Sequence, residues 1–159
     1  MGLKSDGIPG MGSLPDAPKG LAYGEVHLVL DRLVPGDRKK GLVPYYHFSI
    51  RLDRGQPVGH LNFRVGNNEH IRICAGHLGF RILDDHRGNG YAYQACRAVA
   101  PFVKQLTSSV ILTCDPDNLP SIRTIEKLGA RFIELAEIPP ADPGYAHGAR
   151  FKRRYTWVP

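Results

Sequence analysis

Apolar and polar positions alternate through the first half of the chain and recur at helical spacing in two places in the second. Between Glu25 and Val34, Val26, Leu28 and Leu30 alternate with His27, Val29 and Asp31, the period of a strand with one buried face, and Pro35-Gly36-Asp37 ends it. Tyr46 to Leu52 alternates again through Phe48, Ile50 and Leu52, and Asp53 to Pro57 is a turn. Val58 to Val65 then sets Leu61, Phe63 and Val65 on one face against His60, Asn62 and Arg64, so the two runs predict a hairpin. The basic, glycine-containing stretch from Asp37 to Pro44 reads as a loop with no helix. After Gly66-Asn67-Asn68, a strand or pair of strands is expected over Glu69 to Leu83. Gly76 and Gly79 put a bend in it, because interior glycines mark bulges or close approaches.

From Ala92 to about Lys104 the period changes: Ala92, Ala95, Cys96, Val99, Phe102 and Val103 recur on one helical stripe, with Pro101 expected to kink it. Ser109 to Thr113 is a β-branched strand. Asn118 starts a second helix that Gly129 ends. Arg131 to Ile138 and Arg150 to Val158 are strands flanking a Pro- and Gly-rich loop, 139–148. The order predicts an α/β (α+β) domain: a mixed, mostly antiparallel sheet of about seven strands flanked by helices, with a right-handed crossover after the fourth strand.

Composition changes this picture at the N-terminus. Gly2, Gly7, Pro9, Gly10, Gly12, Pro15, Pro18 and Gly20 leave residues 1–20 with little to bury, so a flexible tail is expected there and one domain over 21–159. The net charge of +6 favours an anionic partner without choosing among nucleotide cofactor, nucleic acid and acidic protein. Nucleic acid is the weaker choice, since no aromatic or arginine reading pattern accompanies the charge. Cys74, Cys96 and Cys114 lie in apolar stretches without a pairing pattern and read as reduced thiols of a cytoplasmic protein. No apolar run reaches the roughly 18 residues of a membrane span, so no membrane partner is expected.

The chemistry concentrates at Arg87-Gly88-Asn89-Gly90-Tyr91-Ala92, between the apolar run ending at Leu83 and the first helix. A strand feeding a glycine turn at a helix start exposes unpaired N–H groups at the positive end of the helix dipole, an anion site. It is neither a dinucleotide fingerprint, since Tyr93 replaces the third glycine, nor a Walker loop. Cys74-x-x-His77 lacks a second half, so no metal is expected. The Arg150-Phe151-Lys152-Arg153-Arg154 run reads as a solvated strand face.

Two motifs together resemble the GNAT N-acetyltransferase superfamily. Arg87, Gly90 and Ala92 match its acyl-CoA signature Arg/Gln-x-x-Gly-x-Gly/Ala, and Asn118-x-x-Ser121 leading to Glu126-Lys127-Leu128-Gly129 is similar to its second-motif helix, nearest the branch that acetylates ribosomal-protein N-termini. The resemblance implies acetyl-CoA as cofactor. Arg87, Gly88, Asn89, Gly90, Tyr91 and Ala92 would hold its pyrophosphate, and its pantetheine arm would lie along Phe80, Arg81, Ile82 and Leu83, with the Ile82 N–H facing the thioester oxygen. Asn118 would bond the arm or the strand. Acetyl would pass directly to a primary amine: a protein N-terminus, a lysine or a small amine. The family's usual acid, a tyrosine, is replaced by Ile125, and Ser121 would serve the departing thiolate instead. Glu69, His70 and His77 are the candidate bases, His77 sharing a strand face with Gly79 and Arg81. The family's helices between the first two strands are shortened to a loop here, so the acceptor groove would be open, or closed by the tail or by a second subunit of a homodimer. A non-catalytic acyl-CoA sensor or scaffold is the alternative function.

Overall fold

The computed structural model describes residues 5–159. Five strands pair in chain order into an antiparallel sheet: β1 (Ala22–Tyr23), β2 (Val26–Val34), β3 (Tyr45–Leu52), β4 (Pro57–Arg64) and β5 (Leu78–Ile82). A second antiparallel sheet holds β6 (Val110–Cys114), β7 (Arg131–Glu137) and β8 (Phe151–Trp157), with β8 central. Helix α1 (Tyr91–Leu106) crosses from the first sheet to the second, α2 (Leu119–Lys127) joins β6 to β7, and a single turn, α3 (Pro143–Ala146), lies in the β7–β8 loop. The α/β class with its antiparallel strands agrees with the expectation; the strands divide between two sheets, every strand pair is antiparallel, and the eighth strand is the two-residue β1. No helix separates β2 from β3; a single 3-10 turn, Arg38–Lys40, capped by the Asp37 side chain, does. Among the described residues no helix is long and apolar enough to cross a membrane.

The α1 stripe carries the core. Ala95, Cys96, Val99, Phe102 and Val103 are each 0% exposed, and Phe102 packs edge-on against Tyr46 and Phe63 with ring centroids 4.9 and 5.6 Å apart. Each such large side chain contributes about 1.5–3 kcal/mol by leaving water. Pro101 sits on the exposed side, so the helix runs through it and the missing N–H falls where water replaces it. On β3, Tyr46, Phe48 and Ile50 face inward as their alternation requires. On β2 the alternation fails after Leu28. Val29 and Leu30 are both exposed, and a register shift follows between Leu30 and Arg32.

Two expectations are corrected. Glu69 to Ala75 is helical, not a strand: the Asn68 side-chain oxygen accepts from the Ile71 N–H, and Ile71–Ala75 winds into a wide turn closed by Gly76 N–H donating to Ile71 C=O over 2.8 Å. The asparagine cap and the buried Ile71 and Cys74 suit a turn better than a ladder. Residues 5–20 are also not a free tail. Ile8 is 3% exposed in a small cluster with Val43 and Ile71, Asn67 N–H donates to Gly7 C=O over 2.8 Å, Arg38 pairs with Asp6, and the Tyr46 hydroxyl donates to Pro15 C=O. One isoleucine and a few backbone bonds anchor what composition alone reads as free; residues 1–4 of the expected tail lie outside the described residues.

The anchoring is measurable. Ile8→Ala removes a buried side chain and should lower the unfolding free energy by about 2 kcal/mol, read as a lower urea midpoint. An unchanged midpoint would mean that the segment is not packed.

Candidate active site

The seam between the two sheets is held by one residue. His77 N–H donates to Ile111 C=O over 2.8 Å, Ile111 N–H donates to the His77 Nδ1 over 2.9 Å, and Nε2 donates to Gly66 C=O over 3.0 Å. No ladder pairs β5 with β6. Beyond His77, β6 passes beside the helical turn, where the Thr113 hydroxyl donates to Cys74 C=O over 2.6 Å. Gly76, at φ +67, allows this: a side chain there would strike the Ile111 and Thr113 backbone. The bend expected from Gly76 is thus the point where the sheets part.

A cavity of about 670 Å³ opens on the far side of β5. Phe80, Arg81 and Ile82 form one wall, the α1 entrance from Arg87 to Tyr93 a second, and Asn118, Ser121, Arg123 and Lys127 a third. Leu83 N–H donates to Val58 C=O, so by antiparallel alternation the Phe80 and Ile82 amide groups face away from β4, toward the cavity. Gly90 caps α1 at φ +75 with no side-chain bond to the first turn, which leaves the leading amides of α1 open toward the cavity. Arg87 is tied back to the strand end, its Nε donating to Ile82 C=O over 3.1 Å while it pairs with Asp84 at 3.0 Å. Arg81, Arg87, Arg123 and Lys127 line the space and no aspartate or glutamate does. Its field suits a polyanion. Arg123 and Lys127 escaped the sequence reading; their spacing of four on α2, on the face carrying Ser121 and Thr124, was the available signal.

A second cavity, about 420 Å³, occupies the parting itself and meets the first at Phe80, Asn118 and Ser121. Leu78 and Gly79 face Thr113 to Asp115 across it, with Arg64 and Lys152 on its walls, and the β7–β8 loop supplies Gly144, His147, Gly148 and Ala149. That loop, rather than the N-terminal segment, closes this side, clamped by His70 Nδ1 against Asp142 Oδ1 at 2.8 Å. The Cys74 and Cys114 thiols border the space. Burial, helped by Asp142, pushes Cys74 up to about 11 and burial also raises Cys114, so neither is a ready thiolate.

Of the expected site residues, Phe80 to Ile82, Arg87, Gly88, Gly90 to Ala92, Asn118 and Ser121 gather around the first cavity. Leu83 lies exposed just past β5, and Asn89 turns its amide onto His86 C=O. Asn118 caps α2, its side-chain oxygen accepting from Ser121 N–H over 3.3 Å. Ile125 is 1% exposed in the core. Glu69 is exposed at the helical turn and lines neither cavity; His77 lies outside β5, both ring nitrogens engaged, so the expected shared face with Gly79 and Arg81 does not form. A feature the sequence reading missed is His60, on β4 opposite Arg81, its ring 5.2 Å from His47. Burial, then His47 and Arg81, holds it below the usual histidine range, a neutral imidazole beside the first cavity's wall.

Against this geometry, the profile of the acetyltransferase (GNAT) domain matches residues 22–131. The uncharacterized N-acetyltransferase YnaD of Bacillus subtilis (strain 168) is 30% identical over 84 residues, 52% of this chain and 47% of that protein. The chain therefore spans about half the length of this curated relative. Among solved structures, a GNAT-family acetyltransferase from Bacillus anthracis is 26% identical with a TM-score of 0.55, covering 70% of this chain and 65% of that one. RimL, a ribosomal L7/L12 α-N-protein acetyltransferase solved in complex with coenzyme A, shares the fold at 14% identity and a TM-score of 0.53, covering 72% and 62%.

The seam has a pH signature. Burial keeps the His77 imidazole neutral and below its ordinary value of 6.5, so the unfolded chain takes up the proton first on acidification. The stability this residue contributes is full above pH 6.5 and is lost as pH falls through that value; His60 adds in the same direction. Thermal unfolding at stepped pH should show this acid limb, and His77→Gln should be less stable at neutral pH with a shallower limb. An equally steep limb in the variant would separate the seam from the titration.

Proposed function

The chain belongs to the GNAT acetyltransferase family, and from that premise we propose that it transfers an acetyl group from acetyl-CoA directly to the nitrogen of a primary amine. The observation that carries this is the first cavity: four basic side chains, of which only Arg87 has an acid partner, Asp84 outside the lining, uncapped amides at the α1 entrance, and outward amides on β5, all in one continuous cleft. The α1 entrance suits a pyrophosphate, bonded through main-chain N–H groups with the helix dipole adding attraction. The free edge of β5 suits an extended amide-bearing arm, which would add to it as a strand does. Arg123 and Lys127 supply further positive charge for phosphate.

The reaction then belongs where the two cavities meet. An amine entering through the second cavity attacks the acetyl carbonyl carbon, forming the C–N bond; the Ile82 N–H stabilises the oxyanion of the tetrahedral adduct, and collapse expels the CoA thiolate toward the Ser121 hydroxyl. The amine's proton leaves to water; His60, on β4 opposite Arg81, is a neutral imidazole behind the β5 wall. His77 serves as a structural pin, because its two nitrogens are engaged. The high-lying Cys74 and Cys114 thiols support direct transfer over an acyl-cysteine route. Phe132, Ile133 and Leu135 stay exposed on the edge strand β7, a surface that supports self-association into a homodimer.

Acetyl-CoA at about 100 times its Kd should stabilise the protein by about 2.7 kcal/mol, a rise in melting temperature of roughly 5–10 °C, with NAD giving none. Gly90→Val, folded by circular dichroism, should lose that rise. Thiol release across a panel of amines and N-terminal peptides tests turnover; binding without release for any acceptor would favour the sensor reading, and absence of a thermal shift would overturn both.

A further inference from the structure

Arg64 ends β4, and its side chain continues the polar row of His60 and Asn62 on the face away from α1. Its Nη1 donates to Ala75 C=O over 3.0 Å and to Gly76 C=O over 3.3 Å. The rest of the guanidinium lies over Gly79, where a Cβ would come within 2.8 Å of Nη2, so β5 has no side chain at the spot the cation occupies. Arg64 and Gly79 both line the second cavity, so the guanidinium lies on the wall of that space.

What Arg64 lacks is a counterion. The ion pairs among the described residues are Asp6 with Arg38, Asp142 with His70, Asp84 with Arg87, Asp115 with Lys152 and Glu134 with Arg154; none reaches Arg64. Two carbonyl oxygens satisfy part of its fork, but they carry partial charge, and a cation taken from water is ordinarily matched by a full one. Burial accordingly lowers its pKa. The other charges around the cavity cancel, since Lys152 and Asp115 are 2.8 Å apart. The space therefore carries one guanidinium with no carboxylate partner, while the acids at its border, Asp115 and Asp142, are held by Lys152 and His70. A polyamine would have to compete with Lys152 for Asp115, whereas an anion would complete Arg64.

Resting on the acetyl-transfer reading, we infer that the second cavity takes a small primary amine that carries its own oxyanion, a carboxylate or a phosphonate, with the oxyanion on Arg64 and the amine toward Phe80 and Ser121. The planar fork suits two-point binding of such a group. Gly79 and Ile82 are three residues apart along β5, about 10 Å at strand rise. With an attack distance of about 3 Å at the amine and an ion pair of similar length at the oxyanion, the remaining span matches the two or three bonds of an α- or β-amino acid. The cavity volume of about 420 Å³ is that of a small-molecule site.

The experiment is steady-state thiol release from acetyl-CoA with size-matched acceptors: glycine, β-alanine and aminomethylphosphonate against glycinamide, ethanolamine and putrescine, for the wild type, Arg64→Gln and Arg64→Lys. Anionic acceptors should exceed their neutral counterparts by about 100-fold in kcat/KM. Arg64→Gln should bring that ratio toward one, mainly through KM and with the acetyl-CoA thermal shift retained, and Arg64→Lys should restore part of it. The carboxylate and phosphonate arms distinguish which oxyanion fits better. If Arg64→Gln does not fold, the wild-type ratio decides alone. Neutral or cationic amines used as well as anionic ones, or a protein that binds acetyl-CoA but turns over no anionic amine, overturns this inference and leaves acetyl-CoA binding standing; absence of an acetyl-CoA shift overturns both.

Discussion

Everything in the candidate site depends on two sheets joined at one residue. His77 spends its main-chain N–H and both ring nitrogens on Ile111 and Gly66, and past it β5 and β6 separate with unpaired edges. In a soluble sheet such edges are a hazard, managed by pairing or covering. Here the gap becomes two connected cavities, one on the β5 edge and one in the parting, meeting at Phe80, Asn118 and Ser121. The imidazole must stay neutral to accept from Ile111 N–H, so the geometry of the site is linked to protonation at a residue that does not line its meeting point.

Charge divides the two spaces. The first gathers Arg81, Arg87, Arg123 and Lys127 with no acid in its lining, and the second has a balanced Lys152–Asp115 pair plus one half-buried guanidinium that has no carboxylate partner. A net charge of +6 thus resolves into two local fields of different strength. The stronger suits a polyanion bound at an exposed helix entrance, where screening is appreciable. The weaker suits a single oxyanion in a confined space, where screening is small.

How much of this is legible in the sequence depends on the length scale of the signal. Strands β2, β3, β4, β6, β7 and β8 and helices α1 and α2 announce themselves through periodic apolar positions, and the glycine turn through its place between strand and helix. The turn at Ile71–Ala75 was misread because five residues are too few to separate a helical period from an interrupted strand, and the deciding contact was the Asn68 cap. The ordering of residues 5–20 rests on Ile8 meeting Val43 and Ile71, a contact between segments distant in sequence. Arg64 looked like one more polar residue on an alternating strand; only the position of Gly79 on the neighbouring strand, and the lack of an ion pair to it, set it apart. His77 looked like a base because its chemistry fits one, and its hydrogen bonds assign it elsewhere.

The most direct test of the two-cavity account is where coenzyme A binds, read from backbone amide chemical shifts as it is titrated into isotopically labelled protein. The account predicts the largest changes at Phe80, Ile82 and the amides from Arg87 to Ala92, with smaller ones around Ser121 and little change at Ile8 and Val43. Changes centred away from β5 and the α1 entrance, or spread evenly over the basic surface, would contradict it.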